Sequence, residues 1–159
     1  MKIEERREIF CENLKLFNKS IFWLKKSLQR IKSIENFEKP TEEQLEIIET
    51  LMSRYSRAVD ILINKVLRSL DYLELEETHR RLDVVIRAEK RGFVKDYNIL
   101  IEMKDLRNEL AHEYLEERLK DRLGEVMSKS WELVKIADKI NCYAQEYKYC
   151  KEYISPTVL

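Results

Sequence analysis

Apolar residues recur four and three positions apart along the first part of the chain, at Phe10, Leu14, Phe17, Ile21, Leu24, Leu28 and Ile31. Held over three heptads, this spacing places one narrow apolar seam along a long helix. Phe37-Glu38-Lys39-Pro40 interrupts it. Thr41-Glu42-Glu43-Gln44 then has the form of a capping box, with Thr41 as N-cap and Gln44 reaching back. The seam resumes at Ile48, Met52, Tyr55, Val59, Leu62 and Val66. Two long seamed helices joined by a short turn are expected to lie antiparallel.

A shorter helix is expected from about Thr78 to Arg91, with Leu82, Val85 and Ile86 facing inward. Gly92 stops it, and Lys90 and Arg91 occupy its last turn, where cations are favoured. The next helix starts near Asp96, with Ile99, Met103, Leu106 and Leu110 on its buried face. A last helix begins after Tyr114 or after Gly124 and runs to about Tyr149. Its stripe comprises Val126, Met127, Trp131, Leu133, Val134, Ala137 and Ile140. The pattern predicts an all-α chain, an antiparallel up-and-down bundle of about five helices over residues 1–154, with 155–159 as a frayed tail. There are no repeats, no linker and no low-complexity tract.

Composition supports that architecture. The 159 residues suffice for one well-cored domain, and two glycines and two prolines leave little turn chemistry for a β fold. Charged residues make up 38%, against a usual ~25%. With Asn and Gln sparse, this is compatible with a thermophilic source, although any all-helical chain shifts the same way. Lys+Arg and Asp+Glu balance at 30 each, so a phosphate site would be a local patch rather than a whole-protein field. Cys11, Cys142 and Cys150 are odd in number and form no C-x-x-C pair. They read as small apolar fillers in a reducing compartment rather than as a disulfide framework or zinc knuckle. The N-terminus has no signal-type apolar region, and no apolar run approaches ~18 residues. A soluble, cytoplasmic protein is the expectation.

Candidate chemistry concentrates in Arg107-Asn108-Glu109-Leu110-Ala111-His112-Glu113-Tyr114, which reads R-x4-H-x-Y. Histidine titrates near neutral pH and is the usual acid–base catalyst. Arginine is a permanent planar cation suited to phosphate. At ~100° per residue, Arg107 and Tyr114 nearly eclipse on the flank of the apolar face. Asn108 and His112 form an i,i+4 pair further round, away from the core. RNA cleavage by its own 2′-OH needs a base, an acid and stabilisation of charge on phosphorus. One chain offers one usable histidine, so a two-fold dimer that brings two motifs across a cleft would supply the acid and the base. The seams of the first two helices point to the same homodimer. No metal-ligand set stands beside His112, and no Gly-rich phosphate loop is present. The other histidine, His79, reads as a surface residue.

The stretch from Arg107 to Tyr114 resembles the signature of HEPN domains, in particular the HepT-like branch. The context Val84-Val85-Ile86-Arg87-Ala88-Glu89-Lys90-Arg91-Gly92-Phe93, and the apolar helix that follows to Asn108, resemble that branch as well. The resemblance covers roughly Ile21 to Ile140. It implies a dimeric helical bundle acting as a metal-independent endoribonuclease toxin without a cofactor, paired with a minimal nucleotidyltransferase antitoxin. It further implies that the antitoxin transfers AMP to the motif tyrosine, here Tyr114. A related branch is a non-catalytic, substrate-binding subunit of a two-chain nucleotidyltransferase. This chain lacks the Gly-Ser pair and D-x-D carboxylates of the transferase itself. On this reading Arg107 and His112 are catalytic, Asn108 orients His112 or holds a phosphate oxygen, and RNA (tRNA or mRNA) is the substrate. A helical adaptor with an accidental motif is the remaining class.

Lys90, Arg91 and Lys95 crowd the loop before the motif helix and would hold RNA backbone if that loop lies near the cleft; the alternative is an ordinary solvated helix end. Tyr143, Tyr147, Cys150 and Ile154 form a 4-3-4 stripe. It either stacks bases or packs on the bundle and extends a subunit interface, the second being favoured.

Overall fold

The computed structural model describes residues 2–34, 38–76, 80–112 and 115–151, with side chains of the last helix described from 121 onward. The helices are α1 (Ile3–Ile31), α2 (Glu42–Ile61), α3 (Leu67–Leu73), α4 (Arg81–Lys90), α5 (Asn98–His112) and α6 (Leu115–Glu146). A π-helical turn, Leu62–Val66, joins α2 to α3 without a break, so the described residues form five rods.

Both seams are buried as expected. The seven α1 seam residues are at most 4% exposed, and Ile48, Met52, Tyr55, Val59, Leu62 and Val66 at most 3%. They face each other within one chain, so neither seam is left to build a homodimer. The capping box forms: Thr41 Oγ1 accepts from the Gln44 amide at 3.2 Å, and Gln44 Oε1 accepts from the Thr41 amide at 3.0 Å. Along α1 and the α2–α3 rod, contact partners fall in number as α1 rises. Arg6 reaches the Tyr72 carbonyl, Asn13 that of Lys65, and Trp23 receives Arg54. The two rods are therefore antiparallel. The same ordering makes α6 antiparallel to α1, through Asn18–Asn141 and Cys11–Cys150, and to α5, through Glu102–Lys129 and Glu109–Arg122.

A π turn leaves carbonyls out of the regular ladder. The Lys65 carbonyl accepts from the Ser69 hydroxyl at 2.7 Å and the Asn13 amide at 3.4 Å, which satisfies it. The α4 stop is a Schellman turn. Gly92, at φ +85°, and Phe93 donate back to the Glu89 and Ala88 carbonyls at 3.0 Å each. Between α1 and α6, Asn18 and Asn141 exchange reciprocal amide bonds at 2.9 and 2.8 Å, a fully paired polar contact inside the core.

Three expectations need correction. In α4 the buried residues are Val84, Val85 and Ala88, while Leu82 is 46% exposed and Ile86 half-buried. The helix is turned so that Arg87 and Arg91 face inward. In α5 the buried set is Leu100, Met103, Lys104 and Leu106, with Ile99 and Leu110 only partly covered. In α6, which starts at Leu115 and runs through Gly124, Trp131 is 41% exposed rather than part of the inner stripe.

The cysteine reading is also corrected. Cys11 and Cys150 form a disulfide, with Cα atoms 5.7 Å apart across a sequence separation of 139. The antiparallel register of α1 and α6 puts these positions opposite one another, which no short-range spacing rule detects. Cysteine usage therefore no longer argues for a reducing compartment. Among the described residues no helix is long and apolar enough to cross a membrane. Constraining so long a loop is worth about 5 kcal/mol in the chain-entropy account, against roughly 2–4 kcal/mol for a typical disulfide. Cys150→Ser is accordingly expected to lower the urea midpoint, and reductant should lower the wild-type midpoint to match. Identical wild-type curves with and without reductant would show that the bond contributes nothing.

Candidate active site on the motif helix

The motif occupies the C-terminal half of α5. Asn108 and His112 are exposed, and His112 is the last described residue of the helix. Arg107 stands 31% exposed on the flank that faces α2. Its guanidinium is held by Asp60 of α2, with Nε donating to Oδ2 at 3.0 Å and Nη2 at 2.9 Å from the same oxygen. Lys104, one turn earlier, donates to Asp60 Oδ1 at 3.0 Å. The lysine's ammonium is thereby neutralised, which explains why a charged residue lies on the buried side of α5. Burial would by itself raise the Asp60 carboxyl; hydrogen bonds from Arg107 and Lys104, with their charges, outweigh it and hold the group below the ordinary aspartate range.

Asp60 and Lys104 carry the arrangement and were not anticipated from sequence. Asp60 is one of many carboxylates flanking apolar seams, and only the packing of α2 on α5 selects it. A group whose folded pKa is lowered stabilises the fold above its unfolded value and loses that contribution as the pH falls through the folded value. Asp60→Asn should therefore be less stable than wild type at neutral pH, with the gap closing below the ordinary aspartate range. Denaturant midpoints of both proteins between neutral and acidic pH measure this. A gap independent of pH would mean that the contact is not ionic.

Of the sequence-derived candidates, the structure places Arg107, Asn108 and His112 on one helix but forms no hydrogen bond among them. Arg107 turns to α2, while His112 points outward. Tyr114 lies outside the described residues, as does His79. Lys90 and Lys95 are exposed and precede the start of α5, whose 15 residues span about 22 Å at 1.5 Å per residue, with His112 at the far end.

Arg91 is corrected outright as a free phosphate contact. Its guanidinium is 9% exposed and bonds Asp71 Oδ1 at 2.7 Å and Glu74 Oε1 at 2.9 Å. Arg87 bonds the other Asp71 oxygen at 3.1 Å. Glu74 Oε2 accepts from the Tyr143 and Tyr149 hydroxyls at 2.6 and 2.7 Å. Burial pushes the wholly enclosed Asp71 carboxyl upward, offset in part by the two guanidiniums. Burial, then the hydrogen bond to Glu74 and its charge, raises both phenols beyond the physiological range. The network ties α3, α4 and the end of α6 together, and it gives Tyr143 the packing role expected of its stripe. Tyr147, 54% exposed, stacks on Tyr149 at 5.7 Å. Ile154 of that stripe lies outside the described residues.

Among the described residues no group of three or more His, Cys, Asp or Glu side chains is arranged to hold a metal ion. No family model matches the chain, and neither the curated proteins nor the solved structures contain a match.

Proposed function

We propose that this chain is a metal-independent endoribonuclease of HEPN type, the toxin of a pair whose antitoxin is a minimal nucleotidyltransferase. The observation that carries the reading is the accessible R-x4-H stretch at the end of α5: an exposed histidine five residues after a partly exposed arginine whose orientation is fixed by Asp60. His112 transfers protons and Arg107 stabilises charge on the phosphorane. Asn108, one turn before His112, orients the ring or a phosphate oxygen. Because each chain offers one such histidine, the reaction uses a two-fold dimer with motifs from both chains across one cleft. Asp60 is a positioning residue: it touches Arg107, not substrate.

The alternative, a non-catalytic binding subunit of a two-component nucleotidyltransferase, uses the same exposed face to hold a partner. Expression of this chain alone separates the two. Growth arrest, relieved by His112→Ala, supports the nuclease; unaffected growth with RNA left intact supports the binding subunit.

Control is proposed to act through Tyr114, seven residues after Arg107 in the sequence. An AMP group there would occupy the phosphate site and pair with Arg107, excluding RNA by volume and by charge. After incubation with the partner, ATP and magnesium, mass spectrometry should find one AMP on Tyr114 and none on Tyr114→Phe. Adducts elsewhere, or neutralisation without any adduct, would leave plain partner binding as the explanation.

A further inference from the structure

On the face shared by α1 and α2, Trp23 stands 52% exposed. Its ring is held in place from two sides. The Arg54 guanidinium lies 5.2 Å from the ring centroid, and Phe22 meets it edge-on at 5.1 Å and 74°. Arg54 is itself fixed by bonds to the Ser27 hydroxyl at 2.8 Å and the Trp23 carbonyl at 3.2 Å. Arg30 and Arg57 stand close to it. Burial and the charges of these two arginines depress the Arg54 pKa, the signature of three cations gathered together. None of the ion pairs among the described residues involves Arg30, Arg54 or Arg57. Lys26, over the Phe22 ring at 5.4 Å, adds a fourth cation nearby. Ser20, Trp23, Arg54 and Arg57 line a recess of ≈ 230 Å³. Glu46 and Glu49 border the adjoining recess and mark the acidic limit of the patch.

A chain with no net charge that gathers three guanidiniums, none in an ion pair among the described residues, around a rigid, half-exposed indole is built for an anion with a flat face. We propose that the α1–α2 face docks single-stranded RNA, with phosphates on Arg30, Arg54 and Arg57 and a base stacked against the exposed part of Trp23. A free phosphate would use the cations and leave the indole idle. Duplex RNA buries its bases and would do the same. The choice of RNA among single-stranded polyanions rests on the ribonuclease reading. Arg57 lies one helical turn before Asp60, the residue that grips Arg107, so the docking face runs along α2 towards the motif helix.

The test uses the full chain carrying His112→Ala, a fluorescein-labelled single-stranded 15-nucleotide RNA, and anisotropy titrations across a range of salt. Arg30→Gln combined with Arg57→Gln removes two cations that make no hydrogen bond within the described chain, so the melting temperature should hold. Binding should weaken about tenfold or more, and the slope of log affinity against log salt should become shallower by about 1.4, at ~0.7 per lost phosphate contact. Trp23→Ala should weaken binding about tenfold, the stacking contribution of one base. Absence of RNA binding, or unchanged affinity and slope in the arginine variant, would overturn the proposal. So would duplex RNA or a polyglutamate peptide binding as tightly as the single strand. Cleavage is read separately on the chain with His112 intact: if that chain cuts nothing while these variants still lose binding, the reaction falls and the docking site stands.

Discussion

His112→Ala is expected to lower RNA cleavage by about 10²–10⁴-fold, the usual contribution of a positioned general acid or base, without moving the melting transition. The second half of that expectation follows from the geometry. His112 is exposed at the end of α5, and no hydrogen bond among the described residues depends on it. Arg107→Ala should also abolish cleavage, but it removes a partner of Asp60 and leaves Lys104 alone on that carboxylate. A modest loss of stability should therefore accompany it. The pair of variants thus separates chemistry from folding: one affects rate alone, the other both. His112→Ala with full activity would remove the proposed mechanism, whatever Arg107→Ala did.

Asp71→Ala is expected to cost about 3–5 kcal/mol, the range for breaking a buried ion pair from one side. Asp71 is wholly buried between Arg87 and Arg91. Its removal leaves two guanidiniums facing each other where water enters poorly, with Arg91 falling back on Glu74 alone. Glu74 would then have to serve Arg91 while still accepting from Tyr143 and Tyr149. The loss should therefore spread to the packing of the chain after α6. A urea titration followed by circular dichroism measures the cost, and tyrosine fluorescence follows the C-terminal cluster. A change below about 1 kcal/mol, the scale of an exposed pair, would mean that the network is not closed to solvent.

These two sites differ in how far the sequence discloses them. The motif is legible because it holds one of only two histidines in the chain, with an arginine and a tyrosine at fixed spacing. The seams of α1 and α2 are legible because apolar residues dominate the buried face, with Asn18, Ser20 and Ser27 as the buried polar residues of α1. In α4 the inward face carries Arg87 and Arg91, which a hydrophobic-period reading assigns to solvent, while Leu82, which the same reading assigns to the core, is exposed. A hydrophobic-period reading does not find Lys104 for the same reason: its burial depends on Asp60, forty-four residues earlier in the chain. The Asn18–Asn141 pair and the Cys11–Cys150 bond join positions more than a hundred residues apart. Such pairings follow from helix register, which is a property of the packed bundle and not of any window of sequence. The same holds for Arg30, Arg54 and Arg57, which form one patch only when α1 lies antiparallel to α2.

The central claim is that the end of α5 is the catalytic centre of a metal-independent ribonuclease. End-group analysis of RNA incubated with the purified chain in excess chelator, beside His112→Ala, tests it most directly. The account predicts fragments ending in a 2′,3′-cyclic phosphate or its hydrolysis product from the wild-type chain, and intact RNA from the variant. Intact RNA from both proteins, or fragments that appear only with a divalent metal, would contradict it.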